Sequence, residues 1–366
     1  MIYKVIQILL KLYLPLFFKS VTIRGLDKIP MNKPVIFAVN HQNAFLDAIL
    51  VGIYIKRPVY FLTRSDLFQG KWVLKIFNAL NLVPIFRQKD GDKDFKEKNE
   101  ETFKYCIEQL EKGKPILIFP EGQSEPLHHL FKLKKGVARL AIEAESKHNF
   151  NLRLHIVPVA INYVNHFLPG KKVFVEHLDP IIVSKYKKVF SENPSKAITG
   201  VLNEVTNSLK ENILHIDGDY VRFKRKYWKG IIRHSKNDKE MLAGLNSIPI
   251  KKTSLSKIGF NWKNEKRKYE RKNSLILRFY SFLICLPGIL IFSPTILITK
   301  LILIKVKDES FYLSVLCISW LVFGLIQSIL LASYLWSFLD WDFYILAIGL
   351  NFFFVIISLR NINNIA

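Results

Sequence analysis

The sequence predicts an α/β domain with a mostly parallel sheet flanked by helices, preceded by an N-terminal membrane-interface helix and followed by a C-terminal helical transmembrane region. Three observations predict it. Short β-branched and aromatic runs alternate with segments of helical periodicity between residues 20 and 215. The first twenty residues, MIYKVIQILLKLYLPLFFKS, are apolar but interrupted by Lys4, Lys11 and Pro15. From Phe279 onward, apolar segments reach the roughly 20 residues that a bilayer-spanning helix needs.

The elements follow in order. The interrupted first run is expected to lie as a helix in the membrane interface, its lysines reaching toward water. It has no small-residue cleavage site, so a removable signal peptide is not expected. SVTIRGLDKIP then forms a short strand and turn, and Val35 to Val39 a buried strand that Asn40 terminates as a turn and cap residue. PVYFLTR is a strand, KWVLKIFNALN a helix, and LVPIFRQ a strand ending at Arg87. The charged stretch Lys89 to Asn99 is a solvated loop. In ETFKYCIEQLEKG, Phe103, Cys106, Ile107 and Leu110 fall at the i, i+3, i+4, i+7 spacing of an amphipathic helix that Gly113 stops. PILIFPEG is another buried strand and GVARLAIEAE the next helix. RLHIVPVAINY then supplies a strand, and KAITGVLNEVTNSLKENI a helix with Val201, Leu202, Val205 and Leu209 on one face. The expected organisation is an interface helix over 1–19, the α/β domain over 20–215, a basic linker over 216–278 and membrane segments over 279–366.

Charge narrows the partners. The chain carries a formal net +24. Between Arg222 and Arg278 there are 18 Lys or Arg against 4 acids, a local excess of +14 beside the first apolar block. A basic stretch in that position is attracted to anionic lipid headgroups and also sets topology. No zinc-finger spacing or RNP-type motif accompanies it, so nucleic acid is not the expected partner. Cys106, Cys285 and Cys317 have no disulfide or metal spacing, which suits a reducing compartment.

The apolar blocks are Phe279 to Ile304, Phe311 to Trp336 and Phe343 to Leu359. Pro287, Gly288 and Pro294 interrupt the first, which is expected to be re-entrant or strongly kinked. Asp340 and Asp342 among aromatic residues then mark the far side, and Arg360 returns the tail. The expectation is an integral membrane protein whose α/β domain faces the cytoplasm.

Four stretches stand at or just after predicted strands: NHQNAFLD (Asn40 to Asp47), PIFRQ (Pro84 to Gln88), FPEGQS (Phe119 to Ser124) and IVPVAI (Ile156 to Ile161). In an open α/β sheet, sites lie at the carboxyl ends of strands. His41 and Asp47 cannot meet on one helix, because six residues rotate the second roughly 120° from the first. They meet only if the segment opens as a loop.

In order and spacing the four stretches resemble the blocks of the phospholipid/glycerol acyltransferase family, over about residues 20 to 215. The resemblance implies transfer of a fatty acyl group from acyl-CoA or acyl-carrier protein to a glycerol phosphate. It has one departure: five residues, Gln42 to Leu46, separate His from Asp where the common form has four. That gap is similar to one in the fungal glycerol-3-phosphate/dihydroxyacetone-phosphate acyltransferases, which points to glycerol 3-phosphate as the acceptor.

The chemistry can be stated from the residues. Acyl transfer from a thioester to an alcohol needs a base for the hydroxyl proton, and a carboxylate on the other ring nitrogen fixes the tautomer. His41 and Asp47 suit those catalytic roles. The resemblance gives Arg87 to the acceptor phosphate, for which a guanidinium fork is well shaped. Lys134 and Lys135 are further phosphate candidates, at the start of a helix. The resemblance gives FPEGQS to acceptor binding. There Glu121 is expected to accept hydrogen bonds from glycerol hydroxyls or to orient Arg87, Gly122 to permit a backbone geometry or close approach that a side chain would block, and Ser124 to assist. His128 and His129 lack a third ligand at metal spacing, and no nucleotide-binding glycine motif occurs, so neither metal nor cofactor is expected. Two alternatives stay open: 1-acylglycerol 3-phosphate as acceptor, and a non-catalytic membrane scaffold whose basic linker recruits anionic lipid.

Overall fold

The structure is a computed structural model that describes residues 2–87, 94–213, 286 and 288–336. It divides into two compact units. The first is Met1–Lys11, Thr22–Asn162 and Phe174–His215; the second is Leu12–Val21, Tyr163–Val173 and Ile216–Ala366.

Helix α1 (Ile2–Phe17) opens the chain and continues past Pro15 into its last residues. Strands β1 (Ser20–Arg24), β2 (Val35–Val39), β3 (Tyr60–Arg64), β4 (Leu82–Ile85), β5 (Ile116–Ile118), β6 (His155–Tyr163), β7 (Lys172–His177) and β8 (Ile181–Ile182) form one sheet. Its order is β1-β7-β6-β2-β5-β3-β4, with β8 pairing β6. The pairs β2·β5, β2·β6, β3·β4 and β3·β5 are parallel, and β6·β8 is antiparallel. All five residues of β2 are buried, because a central strand of a parallel sheet is covered on both faces.

The helices are α2 (Ala44–Gly52), α3 (Lys71–Ala79), α4 (Phe95–Glu111), α5 (Gly136–Lys147), α6 (Lys187–Glu192) and α7 (Pro194–Asn212). One sheet face presents Ile36, Ala38, Ile116, Ile118, Ile156 and Ala160 to a core that includes Phe103, Cys106, Ile107 and Leu110 of α4. Val137 and Leu140 of α5 and Val201, Val205 and Leu209 of α7 complete it. Gly52 ends α2 where a Cβ would stand 2.6 Å from the Phe61 ring, so a side chain there would displace that ring of β3.

Three sequence expectations need correction. Helix α4 starts at Phe95, inside the stretch expected to be a loop. The polar face of FKEKN hides its helical character, and only the burial of Thr102, Phe103 and later residues reveals the axis. Strand β4 ends at Ile85, two residues before Arg87. Strands β7 and β8 and helix α6 were not anticipated, because short elements between Gly170 and Asn193 carry little periodicity.

In the second unit, α8 (Ser293–Lys305) and α9 (Tyr312–Trp336) form a helical pair. Among the described residues, Glu309–Tyr334 is the one segment long and apolar enough to cross a membrane. Pro294 has no N–H, and the chain turns at Phe292. The Gln327 side chain of α9 repairs the break by donating to the Ile291 carbonyl. Its Oε1 accepts from Thr295 Oγ1 at 2.6 Å and from Thr295 N at 3.3 Å. An amide can do this because it offers donor and acceptor together. Gln327→Leu is expected to destabilise the helical pair by about 1 kcal/mol or more, read as a lowered thermal midpoint in detergent. Most of the block before Pro294, the basic linker and the third apolar block lie outside the described residues.

Candidate active site

Parallel order brings the carboxyl ends of β2, β5, β3 and β4 side by side. NHQNAFLD and FPEGQS follow β2 and β5, PIFRQ begins in the last two residues of β4, and the IVPVAI block lies within β6, on the other side of β2. The loop after β2 is held from both flanks. Asn40 is fully buried; its Nδ2 donates to the Ile161 carbonyl at 2.9 Å and its Oδ1 accepts from Ile161 N at 2.7 Å. Its side chain thus extends the β2·β6 ladder by one rung while freeing the main chain to turn. The sequence showed Asn40 as a turn residue; its link to the IVPVAI block emerges only once β2 and β6 are neighbours.

His41 Nδ1 and Asp47 Oδ2 are 2.9 Å apart, with 16% of the His41 side chain exposed and none of Asp47. The same Asp47 oxygen accepts from Gln42 N at 2.7 Å and Asn43 N at 2.8 Å. One carboxylate oxygen therefore orients the imidazole and shapes the loop. Where the chain enters α2, Ala44 has φ 38°, in the left-handed region. Such a backbone costs an L-residue about 1 kcal/mol or more. Ser124 Oγ accepts from Ala44 N at 2.8 Å and holds it there. Phe119 stacks on the His41 ring, with centroids 3.8 Å apart and planes 14° from parallel. Among the described residues, Nε2 of His41 makes no hydrogen bond.

Glu121 has backbone partners on two loops. Its Oε1 accepts from His41 N at 2.6 Å and its Oε2 from Phe131 N at 2.9 Å, and the residue is 2% exposed. Both oxygens thus accept from backbone, and among the described residues no hydrogen bond or ion pair joins Glu121 to Arg87. It ties the His41 loop to the Phe131 loop. Burial pushes its carboxyl up to about 8, against the opposing pull of the two N–H groups, with Asp47 adding to the rise. Gly122 has φ 65°, and a Cβ there would lie 2.6 Å from Lys134 Nζ, so the lysine side chain crosses the turn where glycine stands. Lys135 precedes α5 as its cap residue.

Arg87 is 3.7 Å from Asp66 Oδ1, and its side chain is 15% exposed. Asp66 also accepts from Arg64, the last residue of β3, through Nε at 2.9 Å and through Nη2. Arg64's hydrogen bonds hold the Asp66 carboxyl below its usual range, with the charges of Arg64 and Arg87 adding to the effect. Two guanidinium groups thus stand at the ends of adjacent strands around one carboxylate. Arg64 was missed because a strand-final arginine is unremarkable until β3 is placed between β5 and β4. Strands are about 4.8 Å apart, which sets β2, before His41, and β4, before Arg87, three strand steps, about 14 Å, apart.

The acyltransferase family model matches residues 20–162, a span that contains every block and all the residues described above. Glycerol-3-phosphate O-acyltransferase 2 of Saccharomyces cerevisiae is 30% identical over 112 residues, covering 30% of this chain and 15% of that protein. A 1-acyl-sn-glycerol-3-phosphate acyltransferase of Bacillus subtilis is 24% identical over 203 residues, covering 53% of this chain and 90% of that protein. The crystal structure of the 1-acyl-sn-glycerophosphate (LPA) acyltransferase PlsC from Thermotoga maritima aligns at 22% identity and TM-score 0.41. It covers 57% of this chain and 79% of its own.

Proposed function

From the premise that residues 20–162 are an acyltransferase-family domain, we propose that this protein moves a fatty acyl group from a thioester carrier to glycerol 3-phosphate. The observation that carries the reading is the His41–Asp47 pair, with Nε2 left for a substrate proton. As the acceptor hydroxyl attacks the thioester carbonyl, Nε2 takes its proton and Asp47 stabilises the resulting imidazolium. Collapse of the tetrahedral intermediate expels the thiolate, and the imidazolium returns the proton to that sulfur. An ester and a free thiol result, with no covalent enzyme intermediate. The carrier is acyl-CoA or acyl-carrier protein, and no metal or cofactor is required because the donor is already activated.

Arg87, with Arg64 beside it, supplies the positive field for the acceptor phosphate. Arg87→Lys keeps the charge but loses the fork, so the acceptor KM is expected to rise several-fold with kcat less affected. Initial-rate kinetics over both substrates check this; a raised donor KM with normal acceptor kinetics assigns Arg87 to the carrier instead.

A second reading, acylation of 1-acylglycerol 3-phosphate, is favoured by the Bacillus subtilis relative, which is matched over 90% of its length. Turnover of the purified full chain with each acceptor decides between them. Absence of transfer to either acceptor, in lipid, would leave the non-catalytic scaffold. The membrane setting belongs to the same proposal. The exposed stripe Val5, Ile8, Leu9 and Leu12 on α1, beside Lys4 and Lys11, suits a helix in the lipid interface. Helix α9 is proposed to span, and the basic linker to lie against anionic lipid on the cytoplasmic side.

A further inference from the structure

We infer that helix α3 is a docking surface through which the α/β domain rests on an anionic lipid surface, with Trp72 and Ile76 entering its interfacial layer. The helix is amphipathic in an unusual sense: none of its residues is buried. Its inner side is held by Phe77, whose ring meets Phe68 edge-on at 4.9 Å. Trp72, 75% exposed, and Ile76, 55% exposed, stand one turn apart on the same side of the helix. Isolated exposed apolar residues need no explanation, but two large ones stacked on one side of a short helix make a contiguous apolar surface.

The charges say what covers it. Lys71 and Lys75 are exposed, the helix contains no acid, and Lys75 Nζ stands 5.8 Å from the Trp72 ring centroid. Tryptophan with flanking lysines on an amphipathic helix is the composition of a segment lying at headgroup depth on anionic lipid. The position of α3 gives the contact a use. It begins seven residues after Arg64 and leads into β4, beyond which stands Arg87, so lipid against α3 borders the two arginines. The purpose rests on the acyl-transfer reading, whose product is an amphiphile that must pass into the bilayer; the contact itself does not.

The test uses the full chain with its three cysteines changed to alanine, a single Trp72→Cys substitution labelled with an environment-sensitive fluorophore, and vesicles of phosphatidylglycerol and phosphatidylcholine. Lys196→Cys on exposed α7 is the control, and Ile76→Cys is the second site should Trp72→Cys fail to fold. The expected result is a blue-shifted emission that doxyl-labelled lipid quenches at 72 or 76 but not at 196, with less quenching when phosphatidylglycerol is omitted. Water-like, unquenched emission overturns the inference. So does a blue shift that doxyl lipid leaves intact, which would mean another part of the chain covers the helix, or cross-linking between copies through residue 72 without quenching. Because the readout is independent of turnover, a quenched label on an inactive protein refutes the reaction and leaves the docking surface standing.

Discussion

Replacing His41 with alanine is expected to reduce acyl transfer by roughly 10² to 10⁴, the usual worth of a positioned general base. Asp47→Asn is the more discriminating companion. Three hydrogen bonds to Asp47 enter one oxygen, from the His41 ring and from the N–H groups of Gln42 and Asn43. An asparagine carbonyl can accept the same three, so the loop should keep its shape while the imidazolium loses its counter-charge. The expected outcome is a fold unchanged by circular dichroism with kcat lowered by more than about tenfold. If His41→Ala retained more than about a tenth of wild-type turnover in lipid, the base assignment would be wrong.

The second large effect is expected at Glu121, through the backbone that it holds. In Glu121→Gln one side-chain oxygen still accepts, but the amide NH₂ replaces the other acceptor and confronts an N–H. The loss of one buried hydrogen bond, with a donor facing a donor, should cost about 1–3 kcal/mol. It should also loosen the His41 loop, so kcat falls while the acceptor KM moves little; a large rise in acceptor KM would instead restore the acceptor-binding role expected from sequence.

The pH dependence has a definite sign. The carboxyl is raised from 4.5 to about 8 in the folded protein. Between those values the unfolded chain has released a proton that the folded one keeps, so stability falls as pH rises through the window. Chemical denaturation of wild type and Glu121→Gln across that range should show the decline in the first and its loss in the second.

How much of this was legible beforehand differs from residue to residue. His41 and Asp47 announced themselves because two polar residues interrupt apolar runs at a strand-to-helix junction, and a helix cannot join residues six apart. Chain-local signals of that kind also located β2, β3, α3, α5 and α7, where periodicity and caps act within a few residues. Glu121 could be located but not interpreted: its partners are N–H groups of His41 and Phe131, 80 and 10 residues away. Arg64 shows the opposite case, being prominent in space and inconspicuous in sequence.

The chain by itself therefore determined the alternation of strands and helices, the four blocks and the basic excess between Arg222 and Arg278, since these follow from local periodicity and composition. Tertiary structure decided which strand lies beside which. The order β6-β2-β5-β3-β4 turns Asn40 into a ladder rung and Glu121 into a clamp, and makes Arg64 the neighbour of Arg87. The physical reason is that a hydrogen bond or charge contact acts over a few ångströms of space whatever the sequence separation, and strand order, which sets those distances in a parallel sheet, is carried by long crossovers that no local pattern encodes.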